Sequence, residues 1–338
     1  SNSYAMGLGF GQISSPTQVG TDRWLKVFAV ANHALGIKAD GTLWAWGYNN
    51  VGQVGDGTTI DRLTPVQVGT DNKWTELGGS SISSYAIKSD GTLWAWGNTL
   101  AGPLGSGVSS TNVPLQVGTD NDWVMLTYGS RAIKANGTLW AWGNGFLGNG
   151  VQTTTPFELT PIQIGTDKWV SMACNGGSTY TVKPDGSLWV WGFNTVGQLG
   201  IGNTTNQASP LQLNNPINTW LSISAGATYS LAVRTNGTLW AWGENNVGQL
   251  GDGTTTNRTV QTQIGADTKW TSAVAGQDHS VGLKADGTLW AWGHNNFGQL
   301  GDGTGSDRSS PTQIGSGTNW VSIAAGAEHS IGLRADGT

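Results

Sequence analysis

Residues 286–301 read D-G-T-L-W-A-W-G-H-N-N-F-G-Q-L-G, and near copies begin at Asp40, Asp90, Asn136, Asp185 and Asn236. In the copy at Asp40 the large aromatics Trp44 and Trp46 fall at i and i+2, so they leave one face of a strand while Leu43 and Ala45 leave the other. The Asp-Gly or Asn-Gly pair ahead of each strand is the strongest short-range signal for a hairpin turn. Nothing in the stretch carries an uninterrupted helical period.

Working outward, each copy belongs to a unit of about fifty residues that opens with a lone tryptophan, at Trp24, Trp74, Trp123, Trp169, Trp220, Trp270 and Trp320. The other twelve of the nineteen tryptophans are the pairs of W-A-W or its variants. Self-similarity at such a period marks a solenoid, a propeller or an array. Four strand-like segments per unit, W-x-x-I-A-A, H-S-x-x-L-K, T-L-W-A-W and P-x-Q-I-G, predict a four-stranded propeller blade. Burying one indole is worth roughly 4–6 kcal/mol as an upper bound.

The expected fold is therefore all-β: a seven-bladed β-propeller of four-stranded antiparallel blades, with residues 1–338 forming one domain. Tyr4-Ala5-Met6-Gly7 stands at the W-A-W-G position, and the sequence stops at Asp336-Gly337-Thr338, just before the next W-A-W-G is due. The ring is thus expected to be closed by N- and C-terminal strands sharing one blade, which leaves no sheet edge open to another chain.

Composition narrows the function. Charged residues make up 11% and the net charge is −5, which argues against binding nucleic acid or an anionic membrane through bulk charge. No run is long enough for a transmembrane helix. No charged-then-apolar leader opens the sequence, which starts at Ser1 within a unit, so removal of a leader or of further domains stays open. Cys174, the single cysteine, excludes a disulfide framework and stands where other units carry alanine, as a small core thiol would. The low-charge, Thr/Asn/Gly-rich composition leans towards an extracellular, virion or cell-surface setting.

The pattern A-G-x-x-H-S, D-G-T-L-W-A-W-G, N-N-x-G-Q-L-G resembles the regulator of chromosome condensation repeat family over the whole chain. Ala325-Gly326, His329-Ser330, Asp286-Gly287 and Gly298-Gln299-Leu300-Gly301 carry the match. The resemblance implies a seven-bladed propeller closed between its termini. It leaves function wide, because the family includes an exchange factor for a small nuclear GTPase, a plant UV-B photoreceptor and a secreted bacterial inhibitor of β-lactamases. The tryptophan-rich, near-identical units look most like bacterial and phage members. The extra wedge-like hairpin and basic surface of the exchange factor, and the G-W-R-H-T motifs of the photoreceptor, have no counterpart in this sequence.

Comparing the units places the candidate sites. In a meander, the connections after strands one and three share one edge, and there the units differ. The residue after W-A-W-G is Leu8, Tyr48, Asn98, Asn144, Phe193, Glu244 and His294 in turn. The residues ahead of the His-Ser position vary too, as in Ala31-Asn32, Gln277-Asp278 and Ala327-Glu328, and Tyr229 replaces the histidine in one unit. Drift at loop tips and recognition both fit that variation. If recognition is the cause, the expected partner-binding residues are Tyr48, Phe193, Tyr229, Glu244, Asp278, His294 and Glu328, with aromatics as anchors and a protein partner ahead of a glycan.

On the opposite edge a base precedes each Asp/Asn-Gly by two residues: Lys38, Lys88, Lys134, Lys183, Arg234, Lys284 and Arg334. A polyanion could lie on such a row, but Asp22, Asp71, Asp120, Asp167 and Asp267 sit in connections at the same edge, so structural ion pairs are the favoured reading. His33, His279 and His329 share one repeat position and read as blade residues. The G-D-G-T turns at Asp56, Asp252 and Asp302 offer one carboxylate each, too few for calcium. With no catalytic constellation, cofactor fingerprint or metal set, the sequence is expected to encode a non-enzymatic recognition or structural module. A lectin or adhesin is the first alternative, and a GTPase exchange factor is the weaker one.

Overall fold

The computed structural model describes residues 13–98, 104–213 and 220–338. Within them, twenty-six strands form six four-stranded antiparallel sheets and one two-stranded sheet. Blades 1 to 6 span residues 24–67, 74–116, 123–163, 171–212, 220–263 and 270–313, and each is a meander whose strands pair in chain order. This is an all-β propeller architecture of four-stranded antiparallel blades, as the repeat predicts.

The blade count differs from the expectation. Seven four-stranded blades are predicted, and six are present among the described residues, because the seventh unit contributes only Trp320–Ala325 and Ser330–Arg334. The segment expected to continue that sheet, Tyr4-Ala5-Met6-Gly7, lies outside the described residues, as does Leu8.

The chain divides into two compact units, one of 19–170 holding blades 1–3 and one of 171–338 holding blades 4–6 and the two-stranded sheet, together with residues 13–18.

The hairpin between second and third strands shows why the repeat is so constant. Asp40 Oδ1 accepts from the Thr42 amide at 3.0 Å and the Thr42 hydroxyl at 2.6 Å, and that hydroxyl accepts from Trp44 Nε1 at 2.9 Å. Gly41 has φ 81°, and a Cβ there would lie 2.0 Å from the Asn72 carbonyl oxygen, so the position needs glycine for both backbone and space. The Asn-Gly hairpins match: Asn236 Oδ1 holds the Thr238 amide at 3.1 Å and hydroxyl at 2.7 Å.

Each blade buries two unlike faces. Its lone and paired tryptophans share one face, with Trp24 meeting Trp44 edge-on at 6.4 Å and lying 5.4 Å from Trp46. The other face is aliphatic. At the joint of blades 1 and 2, Leu35, Ile37, Leu43, Ala45, Val54 and Val68 meet Trp74 and Trp96 of the next blade. Blades 5 and 6 repeat this, with Leu231, Val233, Leu239 and Leu250 against Trp270 and Trp292. The second tryptophan of each pair is fully buried, and the first is half-buried.

Several polar groups trapped at these joints are satisfied across them. Trp96 Nε1 and Ser84 Oγ both donate to the Gln53 carbonyl of the preceding blade, at 2.9 and 2.7 Å. His33 Nε2 lies 2.8 Å from Ser84 Oγ, and since that hydroxyl hydrogen is already given to Gln53, the histidine must be the donor. His279 repeats the arrangement with Ser330 at 3.0 Å, and Ser330 donates to the Gln299 carbonyl at 2.7 Å. The three histidines are thus blade residues, as expected. Burial first, then the neighbouring His329 and His294, lowers the His279 pKa to about 3. Burial alone lowers His329 to about 4.

Candidate recognition surface

The two variable residue sets converge on one edge of blades 1, 2, 4, 5 and 6 through a repeated main-chain hydrogen bond. The amide of the residue after W-A-W-G donates to the carbonyl of the residue ahead of the histidine position: Tyr48 to Asn32 at 2.9 Å, Glu244 to Thr228 at 3.0 Å and His294 to Asp278 at 2.9 Å. Phe193 makes the longer equivalent, 3.4 Å to Gly177, and its ring covers that glycine so closely that a Cβ would come within 2.5 Å of Cδ2. Tyr48 is 37% exposed.

Along blades 5, 6 and the two-stranded sheet the edge is acidic. Glu244 accepts from the Thr228 hydroxyl at 2.5 Å and from Asn246 Nδ2 at 2.6 Å. Asp278 is half-buried, and its pKa is raised above the usual carboxylate value by burial and then by the nearby Glu244 charge, with Glu328 adding to the rise and His294 opposing it. Side chains from three successive repeats therefore sense one another. His294 is held by Gln299 Nε2 at 3.1 Å and meets Phe297 edge-on at 6.0 Å.

Tyr229 is a correction. The sequence groups it with this edge, but it is fully buried at the joint of blades 5 and 6, where its hydroxyl donates to the His279 carbonyl at 2.5 Å and accepts from Ser280 at 3.0 Å. Its aromatic body makes it a joint residue with a polar tip, and no partner can reach it.

Just beyond the variable residue lies a feature the sequence reading did not single out. Asn49, Asn194, Asn245 and Asn295 are fully buried and knot the loop after the third strand. Asn245 Nδ2 donates to Asp252 Oδ1 at 3.1 Å and to the Thr254 and Thr256 carbonyls at 3.0 and 3.2 Å, while its Oδ1 accepts from the Leu250 amide at 2.9 Å. Asp252 also pairs with Arg258, 2.6 Å from Nη2, so the G-D-G-T carboxylates are spent on the loop. Asp302 does the same with Arg308, at 2.8 Å. The recurring N-N-x-G-Q-L-G-D-G-T-T-x-x-R was the available signal, and a fixed Asn seven residues ahead of a fixed Asp describes such a knot. The knot holds the variable residues on a rigid base.

Blade 3 departs from this plan. Its third and fourth strands, Leu139–Phe146 and Gln152–Gln163, run on as a long hairpin with Phe146 opposite Gln152, and the tip is residues 147–151. The sequence signal is the loss of the Asn, Asp and Arg of the knot between Gly143 and Thr154. An elongated hairpin was not expected.

The basic row on the opposite edge is enclosed. Lys88 lies 3.6 Å from the Trp94 ring and 4.8 Å from the Trp74 ring, with Asp71 at 2.8 Å. Lys38 is placed alike by Trp44 and Asp22, Lys134 by Trp140, Asp120 and Asp122, and Lys284 by Trp290 and Asp267. Lys183 stacks on Trp189, Arg234 between Trp220 and Trp240, and Arg334 on Trp320. The ion pairs were expected, but the tryptophan sandwich around Lys38, Lys88, Lys134, Arg234 and Lys284 was not. Lys134 shows the balance of forces: burial lowers its pKa, Asp120 and Asp122 raise it, and the net shift is upward.

The family model for the Regulator of chromosome condensation (RCC1) repeat matches residues 40–82, 185–233, 236–283 and 286–333, and a second model of the same description matches 24–53, 220–249 and 270–299. The chain belongs to the RCC1 repeat family. The Ultraviolet-B receptor UVR8 of Arabidopsis thaliana is 47% identical over 36 residues, a stretch that is 11% of this chain and 8% of the receptor. Prp20p from Saccharomyces cerevisiae, described with its binding to Gsp1p and histones, superposes with a TM-score of 0.82 at 24% identity, over 91% of this chain and 81% of Prp20p. Human WBSCR16 gives 0.84 at 21% identity, over 95% and 89%. At these identities the solved structures establish that the RCC1 fold is shared, and no more.

Proposed function

We propose that this RCC1-repeat chain is a non-enzymatic recognition module that binds a protein partner through its variable edge. The observation that carries the reading is the repeated hydrogen bond that brings the two variable residue sets together on a base of buried asparagine knots. A rigid scaffold with changeable tips is the usual construction of a binding surface. Phe193 and Tyr48 supply aromatic anchors, and Glu244, Asp278 and Glu328 favour a cationic partner surface. Prp20p binds proteins, which agrees with a protein partner. The low charged fraction of 11% supports an extracellular or surface setting.

The test is affinity capture comparing the intact chain with one altered at Tyr48, Phe193, Glu244 and His294. A protein held by the first and lost by the second is expected. Equal capture by both would refute the assignment of the edge, and saturable binding on a glycan array without protein capture would favour the lectin reading.

We also assign a seventh blade, completed by N-terminal residues and making one domain of the chain. Its support is Ser14, whose carbonyl accepts from Gly303 N at 2.6 Å as Ser309 accepts from Gly253 N at 2.9 Å, and residues 13–18, I-S-S-P-T-Q, which echo 308–313, R-S-S-P-T-Q. Deleting residues 1–18 should lower thermal stability, and an unchanged melting temperature would count against the seventh blade.

A further inference from the structure

We propose that Asn149, at the tip of the blade 3 hairpin, is a site of spontaneous deamidation that converts a neutral loop tip into an anionic one. Five Asn-Gly pairs occur, at Asn136, Asn144, Asn149, Asn175 and Asn236. In the reaction the amide nitrogen of the following glycine attacks the asparagine Cγ. An N–Cγ bond forms, the Cγ–Nδ2 bond breaks, and ammonia leaves with the proton lost by the attacking nitrogen. Water then opens the succinimide ring. Attack at Cγ returns the ordinary main chain with an aspartate, and attack at the main-chain carbonyl gives isoaspartate, in which the chain runs through the former side chain. Glycine favours closure because it has no side chain to crowd the ring. What remains is whether the nitrogen and the carboxamide are free to meet.

At four of the five pairs the fold opposes that meeting. Gly137 N donates to the Lys134 carbonyl at 2.8 Å and Gly237 N to the Arg234 carbonyl at 2.9 Å, so both nucleophiles are tied. The carboxamides there are also pinned: Asn136 Oδ1 by the Thr138 amide and hydroxyl at 3.0 and 2.7 Å, and Asn236 Oδ1 by Thr238 in the same way. Asn144 and Gly145 lie within a paired strand, Gly145 opposite Thr153. Asn175 Oδ1 accepts from Gly176 N at 2.8 Å, but that turn is wedged against the next blade, where a Cβ on Gly176 would lie 1.9 Å from the Ala227 carbonyl oxygen. Closing a planar ring there means moving packed backbone.

Asn149 is the least restrained of the five. It and Gly150 are exposed, and the carboxamide has one long contact, from the Val151 amide to Oδ1 at 3.4 Å. The Gly150 amide has no hydrogen-bond partner among the described residues. The hairpin closes at Phe146 opposite Gln152, so an extra main-chain atom from isoaspartate is absorbed in the loop without shifting the strands. The conversion therefore changes charge and chain path at the tip while leaving the blade intact. The hairpin leaves the sheet at the variable edge, beyond Asn144, so the new carboxylate sits where this blade would meet a partner.

The test is to age the purified full chain in mildly alkaline buffer made with oxygen-18 water and to follow it by ion-exchange chromatography and fragment-ion mapping. Fragmentation within the peptide spanning 135–168 is needed, because it contains Asn136, Asn144 and Asn149 together. The expected result is an acidic isoform whose isotope label and isoaspartate map to residue 149 before any other asparagine, and whose appearance is lost in Asn149→Gln with melting temperature unchanged. First conversion at Asn136, Asn144, Asn175 or Asn236, or an acidic isoform that persists in Asn149→Gln, would overturn the proposal.

Discussion

Acidification from pH 7.5 to 5 should remove about 4 kcal/mol of stability through two buried histidines. The native pKa values are about 3 for His279 and about 4 for His329, both depressed from the ordinary 6.5 by burial. For a group whose native pKa is depressed, the unfolded chain takes up the proton first. Stability is therefore full above pH 6.5 and falls as the pH drops towards the native values. At pH 5 the unfolded imidazoles are charged and the native ones neutral, a gap of about 1.5 pH units below the unfolded pKa, worth roughly 2 kcal/mol for each ring at 1.36 kcal/mol per unit. The aspartates with lowered pKa values, among them Asp56, Asp252 and Asp302, act below their ordinary 3.8, outside this window. Asp278, raised above 3.8, works the other way, gaining stability as it protonates. Urea unfolding followed by tryptophan fluorescence, at several pH values between 7.5 and 5, gives the slope for the intact chain and for His279→Gln with His329→Gln. Glutamine keeps a donor near Ser330 but cannot titrate. The difference in slope should equal about two protons taken up on unfolding. Equal slopes, or a loss under about 1 kcal/mol in the intact chain, would refute the burial argument.

Further outcomes follow from the joints and loops. Trp292→Phe should cost about 1 kcal/mol more than Trp242→Phe, because Trp292 Nε1 donates to the Gln249 carbonyl at 2.9 Å while Trp242 Nε1 has no acceptor among the described residues; chemical denaturation of both variants decides it. Asn245→Ala should lose about 3 kcal/mol by stranding the Leu250 amide and the loop carbonyls, and should raise hydrogen exchange at residues 246–256 above that of the rest of blade 5. Lys88→Met should cost only about 1 kcal/mol, since Asp71 is 36% exposed, and the intact chain should elute from heparin at low salt; firm, salt-sensitive retention would show the basic row to be open after all.

Much of this was legible in the sequence because its signals are local. An Asp-Gly ahead of T-L-W-A-W fixes a turn, a strand and the side of the strand that carries indoles, and comparing the units separated the constant edge from the variable one without any outside alignment. Four things were not legible. Tyr229 shares its position with histidines, and only the joint with blade 6 shows that its ring points inward to the His279 carbonyl. The Asn245 knot depends on a loop folding back over seven residues to Asp252, a path that periodicity does not describe. The blade 3 hairpin arises where the knot residues are missing, so its signal is an absence inside the repeat. The tryptophan sandwich around Lys88 was hidden for another reason: Trp74, Lys88 and Trp94 lie on three different strands, and only their pairing shows that they stack.

At the joints of blades 1 with 2 and 5 with 6 an aliphatic face is set against a tryptophan face, and the two faces of such a blade are unlike. A blade is therefore a two-ended connector, with one kind of fitting on each side. The joints of blades 1 with 2 and 5 with 6 use the same pair of fittings. Unequal crossing-over between copies of so repetitive a gene would insert or remove whole connectors and leave matched fittings at the new junction. Such a chain can vary in length by complete units and exchange its variable tips between positions, with the packing between neighbours preserved each time.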